Sequence, residues 1–288
     1  HGDWMYELGA RYDYSGLSPD NAKDQSFDSL SFSASALWQF MPQWRLGLAL
    51  SQSERAPVVE ELLSNNGNEL GDYVEHVASG VIEIGAENLG SEQANNVDLT
   101  LSFDNDTVDA YITVFYNDFQ DYIFLKNTGE TQGEVQILEY AQQNAEFFGA
   151  EFEIKMNVGS LWRGDVSLDL FGDSISGELD RDGDVPRLPP SRIGSRLNYE
   201  RHGFAAFVSV LEAAKQDKPG NNEAETDSYT RWDMGLSYRL AFVDTRDALF
   251  FLRVNNIADE EIRNASSYLR DIAPEAGRSI ESGVRFNF

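Results

Sequence analysis

The last nine residues, 280–288, read IESGVRFNF. Laid out as a strand they put Ile280, Ser282, Val284, Phe286 and Phe288 on one face and Glu281, Gly283, Arg285 and Asn287 on the other. This is period-two alternation, apolar against polar, carried to the final residue. A domain surrounded by water rarely ends on an aromatic at the tip of such a strand. A transmembrane β-barrel does, because lipid covers the apolar face. Val284, Phe286 and Phe288 are therefore the expected assembly signal, the residues a barrel-assembly machinery would read.

The same alternation recurs upstream. Trp4, Tyr6, Leu8, Ala10, Tyr12 and Tyr14 share one parity, as do Phe32, Ala34, Ala36, Trp38 and Phe40. Trp44, Leu46, Leu48 and Leu50 repeat the pattern, followed by Val97, Leu99, Leu101 and Phe103, then Phe152, Ile154 and Met156, then Trp232, Met234, Leu236, Tyr238 and Leu240. Residues 107–126 are apolar on both parities, and Phe207 and Leu211 interrupt an otherwise polar set within 204–211. The count comes to about twelve strands, many longer than the 5–6 residues usual in soluble sheets. Short turns at 41–43, 104–106, 158–161, 200–203 and 242–246 alternate with long connections at 16–26, 55–94, 127–146, 177–190, 216–227 and 257–278. Up-and-down outer-membrane barrels have that asymmetry, short turns on the periplasmic rim and long loops outside. A final strand that descends to the periplasm puts every short turn on that side. Aromatics at strand ends, among them Trp4, Trp38, Trp44 and Trp232, suit interfacial girdles. The expected fold is thus all-β, an antiparallel up-and-down transmembrane β-barrel, in the outer membrane of a Gram-negative cell with lipid and lipopolysaccharide around it. A soluble β-sandwich binding module is the alternative that the strands alone leave open.

Composition narrows the function. With 22 Lys+Arg against 49 Asp+Glu, the net charge of -27 argues against nucleic acid as a partner. There are no cysteines, so disulfides and thiolate metal sites are excluded. The three histidines, His1, His76 and His202, do not combine with a serine and an orienting carboxylate, and no phosphate-binding glycine loop is present, so an enzyme is not expected.

Several segments carry a family likeness. Residues 53–61, SERAPVVEE, are followed by 76–89, HVASGVIEIGAENL, and 91–99, SEQANNVDL. Then come 110–125, AYITVFYNDFQDYIFL, 148–152, FGAEF, 186–194, PRLPPSRIG, and 254–259, VNNIAD. In this order they resemble the C-terminal half of the barrel of TonB-dependent outer-membrane receptors. Ala86–Glu87 stands where that family commonly has Asn-Pro, and residues 76–99 are most similar to the zinc- and metal-uptake receptors. The resemblance implies that residues 1–288 are the C-terminal portion of a 22-stranded barrel, with the plug domain absent from the chain. It also implies TonB and the plug as partners, and import of a metal ion, a siderophore or another metal chelate captured by extracellular loops. A stand-alone diffusion channel of about twelve strands is the alternative, and the half-barrel is expected to stay open or only loosely closed.

Candidate site residues are few. His76 lies in the longest connection with Asp72, Glu75 and Glu83, a donor set suited to zinc or another borderline divalent ion. No resident cofactor is expected; such a metal would be the transported ligand. Asp180, Asp182 and Asp184 mimic half a calcium loop but lack its closing Glu, so they read as a solvated tip. Glu151, Glu153, Lys155, Arg239, Arg253 and Arg285 fall on the polar parity and would line the lumen, either facing the plug of a full receptor by charge pairing or forming a hydrated wall.

Overall fold

The computed structural model describes residues 3–20, 22–243 and 246–287. Twelve long strands form one meandering antiparallel sheet, each hydrogen-bonded to the next in sequence. They are β1 (Asp3–Leu17), β2 (Gln25–Met41), β3 (Trp44–Arg55), β5 (Glu92–Asp104), β6 (Val108–Gln132), β7 (Val135–Leu161), β8 (Gly164–Leu179), β10 (Arg192–Arg201), β11 (Phe204–Ala213), β12 (Tyr229–Val243), β13 (Arg246–Asn255) and β14 (Ser279–Asn287). Two short strands lie off this path: β4 (Ile82–Ile84) pairs parallel with β7, and β9 (Gly183–Asp184) pairs with β8. A helix, α1 (Val59–Leu63), sits in the connection between β3 and β4. Among the described residues β1 and β14 stand at the two ends of the sheet, each with one neighbour, so the sheet is open there.

Register decides the faces. Cross-strand partners share a face, so Ala248↔Phe286, Phe250↔Val284, Tyr238↔Phe250 and Leu236↔Leu252 place the apolar residues of β12, β13 and β14 together. Val284 and Phe286 thus lie on the expected face; Phe288 falls outside the described residues. The apolar face runs across the whole sheet and stays exposed: Leu8 is 83% accessible, and Leu99, Leu197 and Phe250 are each above 40%. A sandwich would pack this face against a second sheet, and all fourteen strands belong to one. Contiguous exposed apolar surface on this scale belongs against lipid. At the periplasmic end, Trp4, Trp38, Phe40, Trp44 and Phe103 form a continuous row across β1, β2, β3 and β5, with ring centroids 4.8–6.4 Å apart. This is an interfacial girdle made from neighbouring strand ends.

The phenylalanines that break polar parity also have a reason. Phe207 lies across Gly235, Phe251 across Gly283 and Phe115 across Gly149, each ring occupying the space a Cβ on its cross-strand neighbour would need. The glycine lets the ring lie flat on the polar wall instead of projecting into the lumen.

Two expectations about connections change. Residues 127–146 are not a loop: β6 and β7 continue upward and meet in a tight turn at Gly133–Glu134. At 25 and 27 residues these strands are more than twice the roughly 9–11 a tilted membrane strand needs. Their upper halves carry Thr128, Thr131, Val135, Ile137 and Tyr140, residues that favour strand. The double-sided apolar character of 107–126 follows. Above the membrane Ile123 packs with Leu62 and Leu89, while Phe124 packs with Ala145, Phe147, Leu179 and Val185 on the opposite face. The turn placed at 158–161 lies instead at Trp162 and Arg163, both with positive φ (50° and 65°), which suits a two-residue hairpin turn that matches strand twist.

Nearly all buried apolar side chains belong to this upper region. The strands' apolar partner is lipid; the water-excluded core is in the cap that the connections build at one rim.

Candidate functional site

The long connections at 18–24, 56–91, 180–191, 214–228 and 256–278 and the tip of the β6–β7 hairpin all emerge at one rim. The longest is folded from its first residue. Arg55, at the top of β3, donates to Glu61 of α1 at 2.9 and 3.0 Å and to Glu92 of β5 at 3.2 Å. Burial disfavours the charge on Arg55, but the hydrogen bonds to Glu61 and the field of Glu92 outweigh it, so its pKa is raised. Both carboxylates are spoken for again: Glu61 accepts from the Val58 amide at 2.8 Å and Glu92 from the Ile123 amide at 2.7 Å. The cluster therefore ties α1, β3, β5 and the tall hairpin into one unit. Gly85 completes the joint, since an added Cβ would stand 2.5 Å from the Leu63 amide nitrogen.

Nearer the tip of the β6–β7 hairpin than α1 lies a second polar group. Glu83 on β4 accepts from Ser79 Oγ at 2.7 Å and from Tyr140 Oη at 2.9 Å, and His76 Nδ1 stands 3.4 Å from Glu83. Tyr140 is half-buried, and burial together with the Glu83 hydrogen bond pushes its pKa well above 10. Of the four residues proposed as metal donors, the structure brings His76 and Glu83 together. Among the described residues no group of three or more His, Asp or Glu side chains is placed to hold a metal ion.

The third cluster joins three other connections. Arg187 donates to Glu223 at 2.7 Å and to the Leu125 carbonyl at 3.0 Å, and its guanidinium lies 4.4 Å from the Tyr268 ring centre. Arg270 approaches Glu223 from the other side at 3.4 Å and donates to the Ala265 carbonyl at 2.9 Å. All three charged side chains are buried, with 13%, 6% and 5% of Arg187, Glu223 and Arg270 exposed. They border a cavity of about 140 Å³ that also meets Asn127, Asn222 and Leu138. Asn127 and Asn222 exchange side-chain-to-carbonyl hydrogen bonds at 3.0 and 3.1 Å, pinning the hairpin to the 214–228 connection. Sequence reading missed Glu223 and Arg270, because a charge in a long connection has no periodicity to betray burial. Arg55, Glu61, Glu92 and Arg187 fall inside the quoted family-like segments, but their pairing is visible only in three dimensions.

Asp182 is tied down rather than solvated, accepting from Gln143 at 2.8 Å with Lys126 at 3.2 Å. Burial works against its charge, yet the Gln143 and Lys126 hydrogen bonds hold its pKa below the usual carboxylate value. Lower down, register places Glu151, Glu153, Lys155, Arg239, Arg253 and Arg285 on the polar face, opposite the apolar sets. Arg239 pairs with Asp247 at 2.8 Å and Lys155 with Glu153 at 2.9 Å.

A polar inner wall, an apolar outer wall and loops gathered at one rim describe a receptor barrel, and comparison with known proteins bears on the family. A family model described as "TonB dependent receptor-like, beta-barrel" matches residues 1–257. The chain belongs to the TonB-dependent receptor family. It is an outer-membrane β-barrel protein, and the family is one of transporters and receptors rather than enzymes. Among solved structures, the copper transporter OprC is similar over 98% of this chain and 44% of its own, with TM-score 0.76 and 15% identity. The FrpB iron transporter from Neisseria meningitidis matches 99% of this chain and 43% of its own, at TM-score 0.72 and 17% identity. The siderophore receptor PirA from Pseudomonas aeruginosa matches 100% and 54%, at TM-score 0.57 and 15% identity. The chain thus spans about half or less of the length of these TonB-dependent relatives, and at such identities the likeness establishes the fold alone.

Proposed function

We propose that this TonB-dependent receptor barrel captures a scarce metal ion, siderophore or other metal chelate with its extracellular cap. Release into the lumen is then energised through TonB and a plug domain. In this reading residues 1–288 are the C-terminal portion of the barrel wall, and residues 56–91, the β6–β7 hairpin and residues 256–278 are ligand walls. One observation carries the proposal: the long connections are folded against one another, with a core and buried ion pairs of their own, at the rim above the polar face. A passive channel needs no such folded cap. Solved structures of the same fold are described as copper and iron transporters and siderophore receptors, which supports a metal-containing cargo. The test is whole-cell uptake of radiolabelled copper, iron and ferric-siderophore probes by cells carrying this receptor, with and without functional TonB. Uptake that needs both the receptor and TonB is expected; receptor-dependent uptake that persists without TonB would favour a diffusion channel and overturn the proposal.

A further inference from the structure

The polar wall brings three arginines to one cavity in the β10–β14 sector. Acidic groups outnumber basic ones 49 to 22 in this chain, so a cation near the sheet normally finds a carboxylate. Arg45, Arg192, Arg231 and Arg239 do so on the polar face, each within 3.1 Å of an Asp. Arg196, Arg253 and Arg285 do not: among the described residues none of the three has a carboxylate within ion-pair distance. These three border one cavity of about 300 Å³. Even Glu281, directly opposite Arg253 in register, leaves it unpaired.

The floor of the cavity explains how the arginines are held apart. Phe207 lies over Gly235 and Phe251 over Gly283, giving a flat aromatic base with no side chain from either glycine. Arg196 is pinned to that base, its guanidinium 3.6 Å from the Phe207 ring centre. Its Nε donates to Asn198 Oδ1 at 2.9 Å, and Asn198 is anchored in turn by donating to Asp169 at 2.9 Å. The terminal nitrogens of Arg196 therefore remain available, as do the forks of Arg253 and Arg285. Guanidinium forks match carboxylate and phosphate oxygens in a planar, bidentate manner. Glu200 and Glu281 border the same cavity and supply acceptors. An oxyanion that keeps an O–H would donate to them, whereas a fully deprotonated one would meet them as repulsive charges.

We infer that this cavity binds a small, freely diffusing oxyanion of the phosphate class, one that retains a proton at neutral pH. The volume is at the lower limit for a small-molecule site and suits an ion of this size. The inference rests on this part of the polar face staying open to water beside the plug of the proposed function and not on TonB coupling, so loss of TonB-dependent uptake would leave it standing.

The experiment is a ³¹P line-width titration of inorganic phosphate with the protein purified from the outer membrane in detergent, at constant ionic strength set by chloride. Saturable broadening is expected, displaced poorly by sulfate, which lacks the proton. An Arg253→Gln/Arg285→Gln variant should bind about tenfold or more weakly, since it loses two charge-assisted donors. Gel mobility before and after heating reports whether the variant is folded; if it is not, the single Arg196→Gln change carries the test with the same expectation. Broadening that does not saturate, equal competition by sulfate, or unchanged affinity in the folded variant would overturn the assignment.

Discussion

Among the described residues Glu223 is the sole carboxylate standing between Arg187 and Arg270, and its removal should release three extracellular connections at once. The two arginines approach its oxygens at 2.7 and 3.4 Å, with all three side chains at least 87% buried. In Glu223→Ala, Arg187 keeps the Leu125 carbonyl and the Tyr268 ring, and Arg270 keeps the Ala265 carbonyl and a distant, half-exposed Asp271 at 3.9 Å. Neither guanidinium retains a buried counter-charge. Breaking a buried ion pair from one side costs about 3–5 kcal/mol. That energy is local to the cap, because lipid-facing strands do not depend on it, so global melting is the wrong assay. Hydrogen–deuterium exchange on peptides covering 180–191, 214–228 and 256–278 is the right one. Each 1.4 kcal/mol is a factor of ten, so exchange there should accelerate roughly 10²- to 4 × 10³-fold, while peptides from β2, β3 and β12 stay unchanged. Replacing the whole triad, Arg187→Met, Glu223→Leu and Arg270→Met, should restore most of the protection, because an apolar substitute of similar volume avoids the desolvation cost. Loop exchange within threefold of the parent in Glu223→Ala would refute the claim that this triad holds the cap together.

Three further outcomes are expected. Tyr140 has its pKa raised by burial and by Glu83, so the folded state binds the phenolic proton more tightly than the unfolded one. The stability it contributes is therefore complete below about pH 10 and is lost as pH rises beyond that. Difference absorbance at the phenolate band should show a late-titrating tyrosine that Tyr140→Phe abolishes, and its absence from the parent would count against the Glu83 network. Asp182 has the opposite sign: its pKa is lowered, so its contribution is present above about pH 4 and fades as pH falls through the folded value. Loosening of 180–191 in acid, read by exchange, should disappear in Asp182→Asn. Finally, Gly149→Val places a side chain where the Phe115 ring and the Ser174 carbonyl already stand, with a Cβ at 2.2 and 2.7 Å. The ring can move and the carbonyl cannot, so the urea midpoint of the refolded barrel should drop by an amount equivalent to about 1–3 kcal/mol or more; an unchanged midpoint would mean that the ring does not lie on this glycine.

How far the sequence could be read depends on what each residue packs against. Residues of β14 and β12 were legible because lipid is a uniform partner: any apolar side chain of the right parity satisfies it, and parity is a property of sequence. The same rule failed at Phe207, whose partner is a specific glycine on the next strand, and register rather than parity decides that contact. It failed again at 127–146, which reads as a long connection. The strand persists there because Ile137 and Leu138 are buried against other connections, not against lipid. The cap is built from pairings that are long-range in sequence, Arg55 with Glu92, Arg187 with Glu223, Asn127 with Asn222. No local pattern encodes such pairs, and charged residues in a long acidic connection look solvated until a partner is placed beside them. His76 illustrates the converse. Of the donor set read around it, Asp72, Glu75 and Glu83, the partner found in space is Glu83 alone, already held by two hydroxyls. A barrel wall answers to a solvent and can be read from composition and period; a binding cap answers to itself, and its chemistry resides in contacts that only the folded chain brings together.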